Sequence, residues 1–238
     1  MLYKYLPHKY AEAFVDEGKI LFRSILYFLA CEDERRDELE GTHQYEPAGG
    51  LEINNLTQGW SQQLPGGSLR SSVKNPDKLF IFCTSQRLSA DLASKFGSDA
   101  CVEIMDVDRF VARLRTWLRR RPRVKLKTLR HDAVTYYRTA EPPREVWALP
   151  DLIVMNKPYA FEDEEEYRFA FSLKADAFKF ENVDMKITTG PAPKVPKGTY
   201  PEMLVKLGSM TDCCRIHRFP SGANIELNLV RGAGESRD

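Results

Sequence analysis

The sequence predicts a single α+β domain in which mostly antiparallel sheets are flanked by helices. Short aromatic and aliphatic runs of strand length alternate with segments that carry apolar residues at helical spacing. A chain of 238 residues with 42% hydrophobic content can also bury one sizeable core. No internal repeat or separable linker divides it, so residues 1–231 are predicted to form one domain and residues 232–238 a frayed tail.

The first half of the chain is predicted to begin with a strand at 2–5 and a helix at 7–17, which Gly18 ends. The run KILFRSILYF at 19–28 is typical of a second strand. Glycine and proline are dense across residues 42–76. That density predicts a long excursion with one short strand near 51–53, ahead of a buried strand at 79–83.

The second half contains two helices with recognisable caps. Ser89 is predicted to cap a short helix that Gly97 ends, and Asp106 to cap a longer amphipathic helix. The predicted strands lie at 100–105, 124–137 (one or two strands), 153–155, 167–171 and 225–230. The remaining residues, including 191–201, are predicted to be irregular.

Composition limits the class of protein. The formal net charge is +1, so overall charge indicates neither a nucleic-acid nor a membrane partner. No apolar segment is long enough to cross a bilayer, and the N-terminus lacks the layout of a signal peptide. Five cysteines without disulfide-scaffold spacing favour a reducing cytoplasm. The cysteines and the four scattered histidines show no zinc-site spacing, so no metal is predicted.

The most informative segment is the acidic run at 162–166, which leads into the predicted strand at 167–171. Because side chains of a strand alternate between faces, Glu164, Glu166 and Arg168 are expected to share one face. Two carboxylates and a guanidinium at the edge of a buried strand are costly to desolvate unless they bind one another or a ligand. The run therefore indicates either a functional site or a solvated acidic loop ahead of a strand.

A set of short segments stands out by its collinear order between residues 2 and 171. The segments are LYKY at 2–5, ILFRS at 20–24, DELEG at 37–41, FCTS at 82–85, FG at 96–97 with CVEI at 101–104, and Lys157 with EEEYR at 164–168. In this order the chain resembles a broad bacterial family known mainly as a domain of unknown function.

The same layout is also similar, at greater distance, to the ADP-ribosyltransferase fold. In that superfamily an aromatic, histidine or arginine residue on the first strand contacts NAD. A serine or tyrosine on a middle strand supports it, and a glutamate on a late strand carries the chemistry. The resemblance implies that Tyr3 or Tyr5, then Ser24 or Ser85, and finally Glu166 fill these positions, with NAD as the substrate.

The implied chemistry cleaves the bond between ribose and nicotinamide, which develops positive charge on the sugar. Glu166 would stabilise that charge, and Glu164 would act as general base toward the acceptor. Arg23 or Arg168 would neutralise the pyrophosphate, and Tyr5 would stack on nicotinamide. No Gly-x-Gly-x-x-Gly follows a strand, which argues against hydride transfer from a dinucleotide.

Residues 109–130 are dense in arginine and lysine. This segment indicates either a surface that binds the phosphates of RNA or DNA or the solvated face of an amphipathic helix. The candidate nucleic-acid-binding residues are Arg119, Arg120, Arg121 and Arg123.

The expected protein is a cytoplasmic toxin or anti-phage effector that modifies a nucleic acid or a protein, with an antitoxin or regulatory protein as an expected partner.

Two other functions stay open from the sequence. A metal-dependent nuclease or phosphodiesterase would use acidic side chains as oxygen ligands for a divalent cation. Its candidate ligands are Asp33, Glu34, Asp37, Glu40 and Glu164 to Glu166. A noncatalytic module would bind a nucleotide or a protein without turnover. Metal-independent cleavage of NAD distinguishes the transferase from both alternatives.

Overall fold

The structure is a computed structural model that describes residues 1–31, 37–191, 195–196 and 198–219. The helices of these residues are α1 His8–Glu17, α2 Ile25–Ala30, α3 Ala90–Lys95, α4 Val107–Arg119 and α5 Pro150–Val154. The strands are β1 Leu2–Leu6, β2 Lys19–Ser24, β3 Thr42–Tyr45, β4 Leu51–Asn55, β5 Trp60–Leu64, β6 Ser68–Val73, β7 Leu79–Ser85, β8 Ala100–Ile104, β9 Lys125–Ala133, β10 Thr135–Tyr137, β11 Asn156–Pro158, β12 Glu166–Ser172, β13 Val183–Thr188, β14 Glu202–Lys206 and β15 Cys214–Arg218.

The main sheet has eight strands and branches at β7. Strand β12 pairs along one edge of β7, from Glu166 opposite Ser85 to Ser172 opposite Leu79. The other edge is shared, because β1 pairs with β7 at Ser85 and β2 pairs with it near Ile81. Strands β8 and β15 extend the branch of β1, β14 extends that of β2, and β9 lies outside β12. Every pairing in this sheet is antiparallel.

Three smaller sheets accompany the main one. Strands β13, β6 and β3 form an antiparallel sheet, β4 and β5 form a hairpin, and β10 pairs in parallel with β11. The prediction of a mixed α and β fold with mostly antiparallel sheets is therefore confirmed. Among the described helices, none combines the length and the apolar character that crossing a membrane requires.

The two faces of the main sheet are covered by different helices. On one face, α1 and α4 pack Phe14, Phe110 and Leu114 against aromatic residues of the strands. The rings of Phe110 and Phe169 lie 5.0 Å apart there. Burial of each such side chain contributes roughly 1.5–3 kcal/mol. This aromatic core joins the sheet to α1 and α4, the two longest of the described helices.

The second face carries two separate apolar groups. Near one end, α2 and α5 cover Ile81 and Ala170. Toward the other end, α3 packs Leu92 over Tyr5 and Cys101. The stretch of sheet between these groups carries polar side chains, and the candidate site lies there.

Local sequence signals set several elements as predicted. Gly18 ends α1 with a φ of 63°, a left-handed value that glycine adopts without strain. Ser89 caps α3 by accepting the N–H of Leu92 at 3.3 Å, and Asp106 caps α4 by accepting that of Arg109 at 2.9 Å. These caps confirm the predicted starts of both helices.

Other predicted elements were wrong. The run at 19–28 is a strand only as far as Ser24, after which α2 begins. The excursion at 42–76 holds the four strands β3 to β6, and the expected strand at 153–155 is the end of α5. Strands β13, β14 and β15 were not predicted and lie among the residues that were expected to be irregular. The strand predicted at 225–230 and the tail at 232–238 lie outside the described residues.

His43 provides a pH test of the β3 region. Its buried ring stacks on Tyr137 with centroids 4.0 Å apart, and burial lowers its pKa to about 4. Because the unfolded chain binds the proton near pH 6.5, the free energy of unfolding should fall as pH drops from 6.5 toward 4. We expect the wild type to lose about 2–3 kcal/mol between pH 7 and about pH 4.5 in urea unfolding, relative to His43→Phe. Parallel pH profiles for the two proteins would contradict this.

Candidate active site

Five residues stand opposite one another across five neighbouring strands of the main sheet. Arg215 of β15 faces Glu103 of β8, and Glu103 faces Tyr3 of β1. Tyr3 in turn faces Ser85 of β7, which faces Glu166 of β12. Opposed residues of antiparallel strands project from the same face, with Cβ atoms about 5 Å apart. These five residues, named the polar row below, bring three predicted site residues onto one face.

Arg168 anchors the Glu166 end of the polar row. Its side chain has no exposed surface, and its five N–H groups are all used. Nε and Nη2 donate to the Glu166 carboxylate at 2.6 and 3.3 Å. Nη1 and Nη2 donate to the two oxygens of Glu40 at 2.7 and 2.8 Å, and Nη1 also donates to the carbonyl of Val154 at 2.7 Å. No N–H of Arg168 is left for a pyrophosphate.

Lys157 joins the two glutamates that the sequence selected. Its Nζ donates to Glu164 at 2.6 Å and to Glu166 at 3.1 Å, and it lies 4.4 Å from the centre of the Phe161 ring. Both carboxylates and the lysine are buried. The residues Glu40, Lys157, Glu164, Glu166 and Arg168 are named the buried charge cluster below.

Negative charge exceeds positive charge in the buried charge cluster. Three carboxylates face two cations, and the buried Asp37 adds a fourth carboxylate beside them. Burial raises the pKa of Glu40 to about 7 although Arg168 acts to lower it, and burial also raises the pKa of Asp37. For Glu166, burial is outweighed by the charges of Arg168 and Lys157, which hold its pKa below the ordinary value. Glu166 therefore stays ionised at neutral pH.

The acidic turn reaches the cluster by a different route from the one predicted. Strand β12 begins only at Glu166, while Glu164 ends a 3-10 turn that spans Tyr159–Glu164. Between them Glu165 has a φ of 42°, a left-handed conformation that costs a non-glycine residue about 1–3 kcal/mol. This reversal turns Glu164 back toward Lys157, so the two glutamates meet without sharing a strand.

Surface ion pairs hold the outer side of that turn. Lys95 of α3 contacts Asp163 at 3.0 Å and Glu164 at 3.1 Å, and Arg87 contacts Glu165 at 3.6 Å. The side chains of Arg87, Asp163 and Glu165 are about half exposed. Such pairs contribute at most about 1 kcal/mol each, so the turn is held far less firmly than the cluster beneath it.

The hydroxyl groups of Ser85 and Tyr5, two of the predicted contact residues, are already hydrogen-bonded to the protein backbone. The Ser85 hydroxyl donates to the carbonyl of Arg87 at 3.2 Å and accepts its N–H at 3.0 Å. The Tyr5 hydroxyl donates to the same carbonyl at 2.6 Å and accepts the N–H of Ser89 at 2.7 Å. The buried Tyr5 ring also stacks on Phe219. Tyr5 is therefore a packing residue in this structure.

Tyr3 is the more accessible of the two tyrosines. Its side chain is partly exposed, and its hydroxyl lies 3.5 Å from the Glu103 carboxylate, at the limit of a hydrogen bond. Glu103 is itself buried and binds Arg215 and His217, which are partly exposed. This geometry favours Tyr3 over Tyr5 as the residue that contacts a ligand.

Ser24 and Arg23 lie apart from the polar row. Ser24 stands opposite Phe80, so its side chain faces the core under α1 and α4, on the face opposite Glu166. That register corrects the prediction that placed Ser24 at the site. Arg23 stands opposite Ile81, and its guanidinium lies 3.9 Å from the centre of the Tyr27 ring. The expected pyrophosphate contact of Arg23 stays a prediction.

The arginine cluster lies at and beyond the C-terminal end of α4. All four candidates are exposed, and Arg121 stacks over Trp117 at 4.7 Å. The candidates are Arg119, Arg120, Arg121 and Arg123. Because α4 covers the face opposite the polar row, these arginines are on the other side of the sheet from Glu166. Their role with nucleic acid stays a prediction.

Sequence reasoning missed the partners that hold Glu166 in place. Lys157 and Glu40 both lie in segments that the family resemblance quoted, namely Lys157 itself and DELEG at 37–41. The structure brings these segments and EEEYR at 164–168 into one cluster. Their collinear order was a signal that they belong together, although Lys157 was not selected as a site residue and Glu40 was named only as a possible metal ligand.

A cavity of about 360 Å³ lies away from the polar row, along β3 and β6. Arg70 in its wall donates to Gln44 at 2.8 Å and to the carbonyl of Gly190. Among the described residues, no group of three or more histidine, cysteine, aspartate or glutamate side chains is arranged to hold a metal ion. Asp33 and Glu34, named as metal ligands for the nuclease alternative, lie outside those residues.

Comparison of the chain with protein-family models, with curated proteins and with solved structures finds no match. The resemblances to the bacterial family and to the ADP-ribosyltransferase fold therefore stay predictions. Their support consists of the ordered segments, the polar row and the buried charge cluster.

Arg168→Met tests the buried ion pairs. The variant leaves Glu40 and Glu166 buried without their guanidinium partner, so we expect the free energy of unfolding to fall by about 3–5 kcal/mol in urea. Arg130→Met is the matched control, because Arg130 is partly exposed and its 3.4 Å pair with Asp151 should be worth less than about 1 kcal/mol. A similar small loss for both variants would show that Arg168 does not hold the cluster.

Proposed function

We propose that the chain is an ADP-ribosyltransferase that transfers ADP-ribose from NAD to a nucleic acid or a protein, as a toxin or anti-phage effector held in check by a regulatory protein. The observation that carries the proposal is the direct alignment of Tyr3, Ser85 and Glu166 on three adjacent strands. An aromatic residue, a hydroxyl and a carboxylate on one face follow the order of functional groups that the superfamily uses.

Glu166 supplies the electrostatic part of this chemistry. The bond between ribose C1′ and the nicotinamide nitrogen breaks, and its electron pair leaves with nicotinamide. An ionised carboxylate beside the ribose stabilises the positive charge that develops on the sugar. The acceptor then attacks C1′ with a lone pair, and Glu164 takes the proton that the acceptor loses. Charge and atoms balance without a redox partner.

Arg168 positions the Glu166 carboxylate. It contacts both oxygens of that carboxylate and is itself clamped by the two oxygens of Glu40. A carboxylate fixed by such contacts does not reorganise during the reaction, which is the basis of electrostatic preorganisation. Lys157 remains paired with Glu164 while Glu166 faces the sugar.

Access to Glu166 requires the exposed side chains of the acidic turn, those of residues 162, 163 and 165, to move while Glu164 stays bound to Lys157. Glu166 is only 4% exposed, and that turn leads directly into it. Its outer ion pairs are partly exposed and weak, so displacing them costs about 1 kcal/mol each. Tyr3 and Arg215 are the members of the polar row that solvent reaches, and they mark the side from which a substrate enters.

A noncatalytic binding module is the second candidate, and one observation favours it. Both oxygens of Glu166 already have partners, with Arg168 on one and Lys157 and Arg168 on the other. On this reading the buried charge cluster is an anchor that ties the segment at 37–41 to β12, and the polar row binds a nucleotide or a protein without turnover. The two candidates differ in whether NAD is consumed.

Glu166→Gln tests the transferase. We expect release of nicotinamide from NAD in the presence of EDTA to fall at least about 100-fold, because the variant loses the charge that stabilises the ribosyl cation. Glu40→Gln is the matched control, since it disturbs the same ion pairs but keeps the Glu166 carboxylate. The assay runs below the melting temperature of both variants, and the control should stay within about tenfold of wild type.

Three results would overturn the proposal. Unchanged turnover in Glu166→Gln would remove the role of that carboxylate. A wild type that binds a nucleotide without consuming NAD would favour the noncatalytic module. Phosphodiester cleavage that EDTA abolishes would favour the metal-dependent nuclease.

A further inference from the structure

Tyr136 reaches the site from outside the main sheet. It lies in β10, directly opposite Lys157 of β11 in a parallel pair. Its hydroxyl accepts the backbone N–H of Glu166 at 2.7 Å. The side chain is neither fully buried nor fully exposed. Tyr136 therefore stands beside the first residue of β12 at the border between the buried charge cluster and solvent.

The hydroxyl of Tyr136 has a proton to donate. A phenol oxygen can accept one hydrogen bond and donate another, and the N–H of Glu166 fills only the accepting position. Within the part of the chain that the structure describes, no acceptor receives the phenol proton. Burial raises the pKa of Tyr136 to about 12, so the hydroxyl keeps this proton at neutral pH. Among the described residues, an O–H donor without an acceptor is thus held next to Glu166.

Charge decides which part of a dinucleotide fits beside this donor. The surroundings contain the carboxylates of Asp37, Glu40, Glu164 and Glu166 against the cations of Lys95, Lys157 and Arg168, which leaves one carboxylate in excess. A phosphate would add further negative charge to this surplus, which is unfavourable at short range. The nicotinamide ribose of NAD has a positively charged ring and neutral sugar hydroxyls, and it suits the same surroundings.

We propose that Tyr136 is a substrate-binding residue that donates a hydrogen bond to a hydroxyl of the nicotinamide-bearing ribose. This inference rests on the proposed function and adds the direction in which NAD lies. The nicotinamide ribose occupies the end of the polar row at Glu166, and the phosphates lie away from the buried charge cluster. Because the backbone N–H of Glu166 fixes the phenol, the sugar is held in register with the carboxylate.

Tyr136→Phe tests the contact, with Tyr137→Phe as the neighbouring control. The Tyr137 hydroxyl accepts the N–H of Gln44 at 3.2 Å and donates to the carbonyl of Thr42 at 3.4 Å, so it has no proton left to donate to a ligand. Binding of nicotinamide mononucleotide and of AMP is measured by calorimetry for both variants. One neutral hydrogen bond corresponds to about a 2- to 12-fold change in affinity. Tyr136→Phe should weaken binding of the mononucleotide by that factor and leave AMP binding unchanged.

The outcomes separate this inference from the proposed function. Tyr136→Phe also removes the phenol that accepts the Glu166 N–H, and melting temperatures measured without ligand report that loss of stability. A loss of stability alone would affect both nucleotides equally. If the wild type cleaves NAD and Tyr136→Phe binds the mononucleotide as tightly as Tyr137→Phe does, the role of Tyr136 is wrong and the transferase stands. Equal weakening of both nucleotides also rejects the specific contact. If the wild type neither binds nor cleaves NAD, both proposals fall together.

Discussion

The pairing of one buried guanidinium with two carboxylates is the interaction on which the site depends. Arg168 binds Glu166 two residues before it and Glu40 at a sequence separation of 128 residues. A charge with no exposed surface is tolerated only when such partners satisfy it. Arg168 therefore ties the segment at 37–41 to β12, and the same contacts fix the direction of the Glu166 carboxylate. Stability and the proposed chemistry come from one set of contacts.

The polar row connects this fixed carboxylate to the open part of the sheet. Glu166 at one end of the row is buried, Tyr3 in the middle is partly exposed, and Arg215 at the other end is largely exposed. The surplus of carboxylates around Glu166 favours a neutral or cationic group there, whereas the opposite end presents an arginine. A ligand with one cationic and one anionic end is complementary to this gradient.

Local signals were sufficient for part of the fold and not for the site. Gly18, Ser89 and Asp106 act through their immediate neighbours, so the ends of α1, α3 and α4 could be read from the sequence. Strand β5 exposes nearly all of its side chains and has no apolar alternation, so turn residues around it suggested only a loop. The Ser24 error came from sheet register, which sequence spacing does not determine. Glu40 pairs with Arg168 across 128 residues, and Lys157 pairs with glutamates seven and nine residues away. Neither residue shares a helix or a strand with its partners, so neither leaves a local periodic pattern.

A crystal structure of the protein bound to a non-hydrolysable NAD analogue would show directly which groups surround the ribose. We expect the nicotinamide-bearing ribose within hydrogen-bond distance of both the Glu166 carboxylate and the Tyr136 hydroxyl, with Arg168 still clamped between Glu40 and Glu166. An analogue bound in the cavity along β3 and β6, or bound with its phosphates against the buried charge cluster, would show that Glu166 does not act on the ribose.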